Sequence, residues 1–199
     1  MTVIDLERWR RETGRRIASP IAGVLSRGRL TPDMLTIAGL LLSLLCAYLV
    51  VVGQLLLAGL VLLASGLCDM LDGALARHVA KSSRFGAILD STLDRASEAA
   101  VFCALTVAYA SKGSMLAGIV ALAVLVGSFL VSYIRARAEG LGLQCRAGLF
   151  TRPERVIVLA AGLLTSYIMP ALWVLLGGVY FTVIQRLAHV HKESRSAGV

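Results

Sequence analysis

The sequence predicts an all-α integral membrane domain: six transmembrane helices preceded by an N-terminal amphipathic interfacial helix, with both termini cytoplasmic. Three observations predict it. First, 57% of the 199 residues are hydrophobic and the mean hydropathy is +0.79, whereas soluble domains sit near 45–50% apolar. Second, apolar runs of about 20 residues, the length that spans a bilayer, recur along the chain. Third, the segments between those runs alternate between basic and neutral, as the positive-inside rule requires.

Each element follows in order. Residues 1–28 mix Leu6, Trp9, Ile17, Ile21 and Leu25 with seven arginines (Arg8, Arg10, Arg11, Arg15, Arg16, Arg27, Arg29 at its edge). Apolar positions near helical spacing beside arginines predict a helix lying in the headgroup layer. Thr31-Pro32-Asp33 then opens the first span, with Thr31 as N-cap and Pro32 in the first turn. That span runs to about residue 53, and Gly53-Gln54 make an uncharged turn. A second span covers about 55–77 and a third about 85–110, joined by a basic loop holding His78 and Lys81. These two are expected to be antiparallel neighbours because the loop is short. A fourth span, about 115–131, continues into Ser132 to Glu139; a basic loop with Arg146, Arg152 and Arg155 precedes a fifth at about 156–166. Pro170 marks a turn, the sixth span ends near residue 187, and 189–199 form a short polar tail. The whole chain, 1–199, reads as one membrane domain with a six-helix bundle over 31–187. No segment reads as a cleaved signal peptide, since the first apolar run is long and lacks a small-residue cleavage site.

The net charge of +8 raises nucleic acid as a partner, but no aromatic-interleaved basic face accompanies it. The basic residues fit the cytoplasmic face and contact with anionic lipid or phosphate. Cys46, Cys68, Cys103 and Cys145 lack paired metal spacing and are expected to act as small hydrophobes without disulfides.

Four aspartates stand inside apolar runs: Asp69 and Asp72, then Asp90 and Asp94. Facing lipid they would cost about 10–14 kcal/mol together, so they must face one another, a cation or a watery cavity. Spacings of three and four put each pair on one helix face. Two such pairs would repel without cations, and hard oxygen ligands suit Mg²⁺, Mn²⁺ or Ca²⁺, with room for two ions. Gly73 and Gly86 flank the cluster, and Arg77 and Arg84 bring positive charge for phosphate to the same mouth. The charge topology independently places this cluster at the cytoplasmic face.

The full pattern, D-x2-D-G-x2-A-R-x8-G-x3-D-x3-D from Asp69 to Asp94, fixes eight positions and arises by chance on the order of 10⁻¹⁰ per window. It resembles the signature of the CDP-alcohol phosphotransferases, integral enzymes of phospholipid synthesis. The resemblance implies transfer of a phosphatidyl group from CDP-diacylglycerol to an alcohol, with release of CMP. It implies two Mg²⁺ or Mn²⁺ ions, one held by Asp69, Asp72 and Asp90 and the other met by Asp69, Asp90 and Asp94. Asp94 would also be the general base. Nucleotide contacts would fall on Asp33, Met34, Leu35, Thr36, Gly73, Arg77 and Ser83. The family further implies a homodimer in the plasma membrane.

The second basic cluster, Ser132 to Glu139 with Arg152-Pro153-Glu154-Arg155, resembles the phosphatidylinositol-phosphate synthases within that family. Mapped by position, an acceptor-phosphate pocket would use Ser132, Arg135, Arg152, Arg155 and Arg186. Arg135 stands where those enzymes usually carry lysine, which keeps the charge and changes the hydrogen-bond geometry. The resemblance implies inositol phosphate as the acceptor, ahead of glycerol 3-phosphate. A divalent-cation transporter would also carry intramembrane acids, but near mid-bilayer and on both sides of a pathway. Here the acids lie at one face, beside arginines.

Overall fold

The computed structural model describes residues 31–79, 84–145 and 147–196. Residues 1–28, expected to form an interfacial helix, together with Ser83, Arg146 and the side chains of Arg77 and Arg84, lie outside the described residues. Within them the chain forms six helices: α1 Pro32–Val51, α2 Leu55–Val79, α3 Arg84–Ser111, α4 Met115–Gly140, α5 Arg152–Leu164 and α6 Ile168–Ser196. Four of these, α1, α2, α4 and α6, are long and apolar enough to cross a membrane.

The helices are built for an apolar solvent. On α1 the buried stripe is Thr36, Gly39, Ser43, Cys46 and Val50, while Ile37, Leu41, Leu44, Leu45 and Tyr48 point outward. Small and weakly polar residues inside with large aliphatics outside is the packing logic of lipid-embedded helices, where close backbone approach and interhelical hydrogen bonds hold neighbours together. Ser43 and Ser65 hydroxyls meet at 2.8 Å, and Ser65 donates to the Gly39 carbonyl at 2.9 Å. Elsewhere the interior is filled by Phe102 and Leu105 of α3, Val124 of α4, Leu163 of α5, and Leu172, Leu175 and Val179 of α6.

The main packing pairs close a ring: α1 against α2, α2 against α5, α5 against α6, α6 against α4, α4 against α3, and α3 against α1. This corrects one expectation. Among the described residues, α2 and α3 are not principal packing partners despite their short connection. α1 packs against both, and the two aspartate-bearing helices are joined through Arg152, which reaches Asp69 on one and Asp94 on the other.

Two boundaries also differ from expectation. α5 starts at Arg152, four residues early, because Thr151 and Glu154 form a capping box with Pro153 in the first turn. Glu154 Oε2 accepts from the Thr151 backbone N–H at 2.9 Å and from its hydroxyl at 2.6 Å. Arg152 and Arg155 thus sit on a helix rather than in a loop. At 13 residues, α5 is about 20 Å long, short of the ~30 Å hydrocarbon core. α6 continues through the expected polar tail to Ser196, where Arg195 in the last turn complements the helix dipole.

Candidate active site at one end of the helical ring

The start of α1, the second half of α2, the first half of α3 and the first turn of α5 converge at one end of the ring. The Thr31 hydroxyl caps α1 by accepting from the Met34 N–H at 3.4 Å. Asp33 and Met34 are exposed there, Leu35 is half-buried and Thr36 is buried. Thr36 donates to Asp72 Oδ2 at 3.0 Å, which ties the buried carboxylate of α2 to α1. Asp69 is seated where α1 offers no side chain: a Cβ on Gly39 would lie 2.8 Å from Asp69 Oδ1. Asp90 and Asp94 are half-buried on one face of α3. Gly73, the next residue after Asp72, is half-buried beside this group.

Arg152 joins the two acidic helices. Its Nη2 donates to Asp69 Oδ2 at 2.5 Å, and its Nη1 lies 2.8 Å from Asp94 Oδ1. Nη1 is buried and has no aligned hydrogen bond. Among the described residues, no three acidic, cysteine or histidine side chains converge as a ready-made metal cage; a guanidinium lies between two of the carboxylates instead. The donor chemistry nevertheless fits a hard divalent cation. It consists of carboxylates without thiolate or imidazole, and it already holds one cationic group between helices.

From Asp94 a cleft of about 260 Å³ opens. Ser132, Arg135, Arg152, Arg155 and Arg186 all line it, so every residue expected for the acceptor phosphate meets Asp94 in one cavity. Their states differ. Arg155 is only 4% exposed and is gripped by Glu98, itself 10% exposed, through Nε at 2.6 Å and Nη2 at 2.9 Å. Its Nη1 donates to the Phe150 carbonyl at 3.3 Å. Its charge is therefore matched inside the protein, and its first role is to pin the beginning of α5. Arg186 is buried and holds backbone, donating to Ala147 O at 2.9 Å and Val131 O at 2.5 Å. Arg135 is exposed and pairs with Glu139 at 2.8 Å, a contact of little energetic weight. Ser132 is half-buried.

Cys145, in the connection between α4 and α5, lies buried near these arginines. Burial pushes its thiol up from the ordinary cysteine value, against the opposing pull of Arg186 and Arg135. All four cysteines are unpaired.

Sequence reasoning missed Glu98 and Gly39. Glu98 was detectable, because it continues the one-turn spacing of Asp90 and Asp94 along an apolar helix and carries the same insertion cost. Gly39 had no sequence signal, since its importance lies in what α2 presses against it.

Residues 29–184 match the family described as CDP-alcohol phosphatidyltransferase. The chain is 39% identical over 196 residues to a phosphatidylinositol phosphate synthase of Mycobacteroides abscessus, covering 94% of this chain and 89% of that protein. It also resembles solved structures of the Mycobacterium tuberculosis phosphatidylinositol phosphate synthase. The one with CDP-DAG bound gives a TM-score of 0.77 at 39% identity, covering 88% of this chain and 94% of that one. The one in complex with manganese and citrate gives 0.77 at 38% identity, covering 87% and 88%. The eight-position motif, the helical ring that presents it and these similarities over most of the chain lead to one conclusion: this protein belongs to the CDP-alcohol phosphatidyltransferase family.

Proposed function

We propose that the protein transfers the phosphatidyl group of CDP-diacylglycerol to inositol phosphate, giving phosphatidylinositol phosphate and CMP. The observation that carries this reading is the cleft that opens from Asp94 and is lined by five arginines, Arg95, Arg135, Arg152, Arg155 and Arg186. A phosphorylated acceptor needs such charge-assisted donors, whereas a neutral polyol does not. The similar synthases named above support the same acceptor.

Asp69, Asp72, Asp90 and Asp94 would hold the divalent cations, Mg²⁺ or Mn²⁺, with two per site; the manganese complex of the similar synthase supports a divalent cation in this family. Bound there, such ions would supply positive charge to neutralise the pyrophosphate and polarise its phosphorus. Asp94 stands where the carboxylates meet the cleft. It takes the proton of the acceptor hydroxyl as that oxygen forms its bond to phosphorus and the bond to CMP breaks. Asp33, Met34, Leu35 and Thr36 at the start of α1, with Gly73, Arg77 and Ser83, receive the nucleotide. Ser132, Arg135 and Arg152 orient the acceptor's phosphate, with Arg186 and Arg155 holding the wall behind them, and most of the rate enhancement comes from this positioning.

The chain acts as one domain over 1–199, a homodimer in the plasma membrane with six spans, cytoplasmic termini and a cytoplasmic active site. α3 would cross with its charged first half at the interface. α5, which begins at the site itself, has less bilayer left to traverse. The deciding experiment is an acceptor panel: purified protein, CDP-diacylglycerol and Mn²⁺ or Mg²⁺ with inositol 3-phosphate, free inositol, glycerol 3-phosphate or serine. CMP release is expected with inositol 3-phosphate. Release with glycerol 3-phosphate alone would reassign the acceptor, and no release with any would remove the enzymatic reading.

A further inference from the structure

Arg152 belongs to two places at once. It bridges Asp69 and Asp94, which come from α2 and α3, and it lines the acceptor cleft. It occupies one oxygen of each carboxylate, Asp69 Oδ2 and Asp94 Oδ1, so the guanidinium competes with a divalent cation for the same two acids. Its buried Nη1 lacks an aligned hydrogen bond, so the bridge is incompletely satisfied on the Asp94 side. One turn along the same helix, Arg155 is locked by Glu98, and the capping box fixes the helix start. The backbone under Arg152 is thereby held, and the part free to rearrange is its long side chain. The other cleft arginines described above lean on Glu139, on Glu98 or on backbone carbonyls.

We infer that Arg152 is a specificity-determining residue that links the acceptor's phosphate to the cation site. Without acceptor it is the counterion of Asp69 and Asp94. With a phosphorylated acceptor in the cleft it turns to the phosphate and releases both carboxylates for the cation. Phosphate on the acceptor and divalent cation at the aspartates then favour each other, and by linkage the coupling is reciprocal. An acceptor without phosphate cannot draw Arg152 away, so selection acts on cation loading as well as on binding. The inference rests on the proposed reading of the aspartates as cation ligands.

The test is Mn²⁺ binding to the full-length protein, followed by electron paramagnetic resonance without CDP-diacylglycerol. Inositol 3-phosphate should tighten Mn²⁺ binding by about fivefold or more, within the usual range of coupling between sites, and free inositol should not. Arg152→Gln should bind Mn²⁺ more tightly than the parent without acceptor and lose the response to inositol 3-phosphate. Arg152→Lys keeps the charge but not the two-armed fork; it should show a reduced response, and it serves if the glutamine variant does not fold. Unchanged or weaker Mn²⁺ binding in the folded Arg152→Gln variant, or an undiminished response to inositol 3-phosphate, overturns the inference. If the parent binds no Mn²⁺ and matches Asp72→Asn, the cation-site reading has failed and the inference falls with it.

Discussion

Asp94 and Glu98 occupy successive turns of α3 and face the same cleft, yet their environments set them to different tasks. Asp94 is held at 2.8 Å by a guanidinium that also serves Asp69, so its oxygen is available once that contact is exchanged. Asp94→Asn should lower kcat by about 10²–10⁴-fold, the usual contribution of a general base, while CDP-diacylglycerol still binds; single-turnover CMP release and nucleotide titration check the two halves. Glu98 is committed to Arg155 on both oxygens. Glu98→Gln leaves a buried guanidinium without its counter-charge and should destabilise the fold by about 3–5 kcal/mol. Replacing Arg155 as well should recover part of that loss, because no unpaired charge is then left inside. Thermal unfolding of the two single variants and the double variant in detergent measures it. Of these two acids, only Asp94 belongs to the motif legible in the sequence. Glu98 has to be read from its insertion cost and its one-turn offset, and its partner, 57 positions away, from the structure.

At the level of elements, α5 does the positioning. Its capping box sets the first turn, the first turn carries Arg152, and Arg152 reaches two other helices. Thr151→Ala removes the hydroxyl of that box and should cost about 1 kcal/mol. It should also raise KM for the acceptor more than it lowers kcat, as expected if the loss is of uniform binding; steady-state kinetics in inositol phosphate gives the split. The early start of α5 could be found in the sequence from Thr151, Pro153 and Glu154, which form the box pattern. The run of arginines nearby instead reads as a cytoplasmic loop, because charge normally marks the end of a span. The packing of α1 against both α2 and α3 had no local signal, since Thr36, Gly39 and Ser43 find their partners Asp72, Asp69 and Ser65 on another helix.

The whole molecule joins a lipid-facing shell to a polar end. Leu41 is 60% exposed on the outer face of α1, with the buried stripe of small residues on the other side. Leu41→Lys should therefore cost about 2.5–3.5 kcal/mol in insertion and lower the yield in membranes, measured against the neutral Leu41→Met. Chelation acts at the opposite pole. Stripping divalent cations from the purified protein should abolish CMP release, and Mn²⁺ or Mg²⁺ should restore it, since four carboxylates gathered at one end cannot receive a pyrophosphate unaided.

What the sequence determined by itself is local in origin. Hydropathy and loop charge yield an all-helical membrane chain, and spacings of three and four put Asp69 with Asp72 and Asp90 with Asp94. The insertion cost of those carboxylates demands partners, and the reaction class came from the resemblance of the eight-position motif to a known family. The tertiary structure alone decided which partners: the ring order of the helices, the Glu98–Arg155 lock and the Arg152 bridge to Asp69, 83 positions away. Helical period and bilayer thickness act along a segment and leave their mark in residue order. A guanidinium's choice among distant carboxylates depends on where packing brings separate helices, and no stretch of sequence records that.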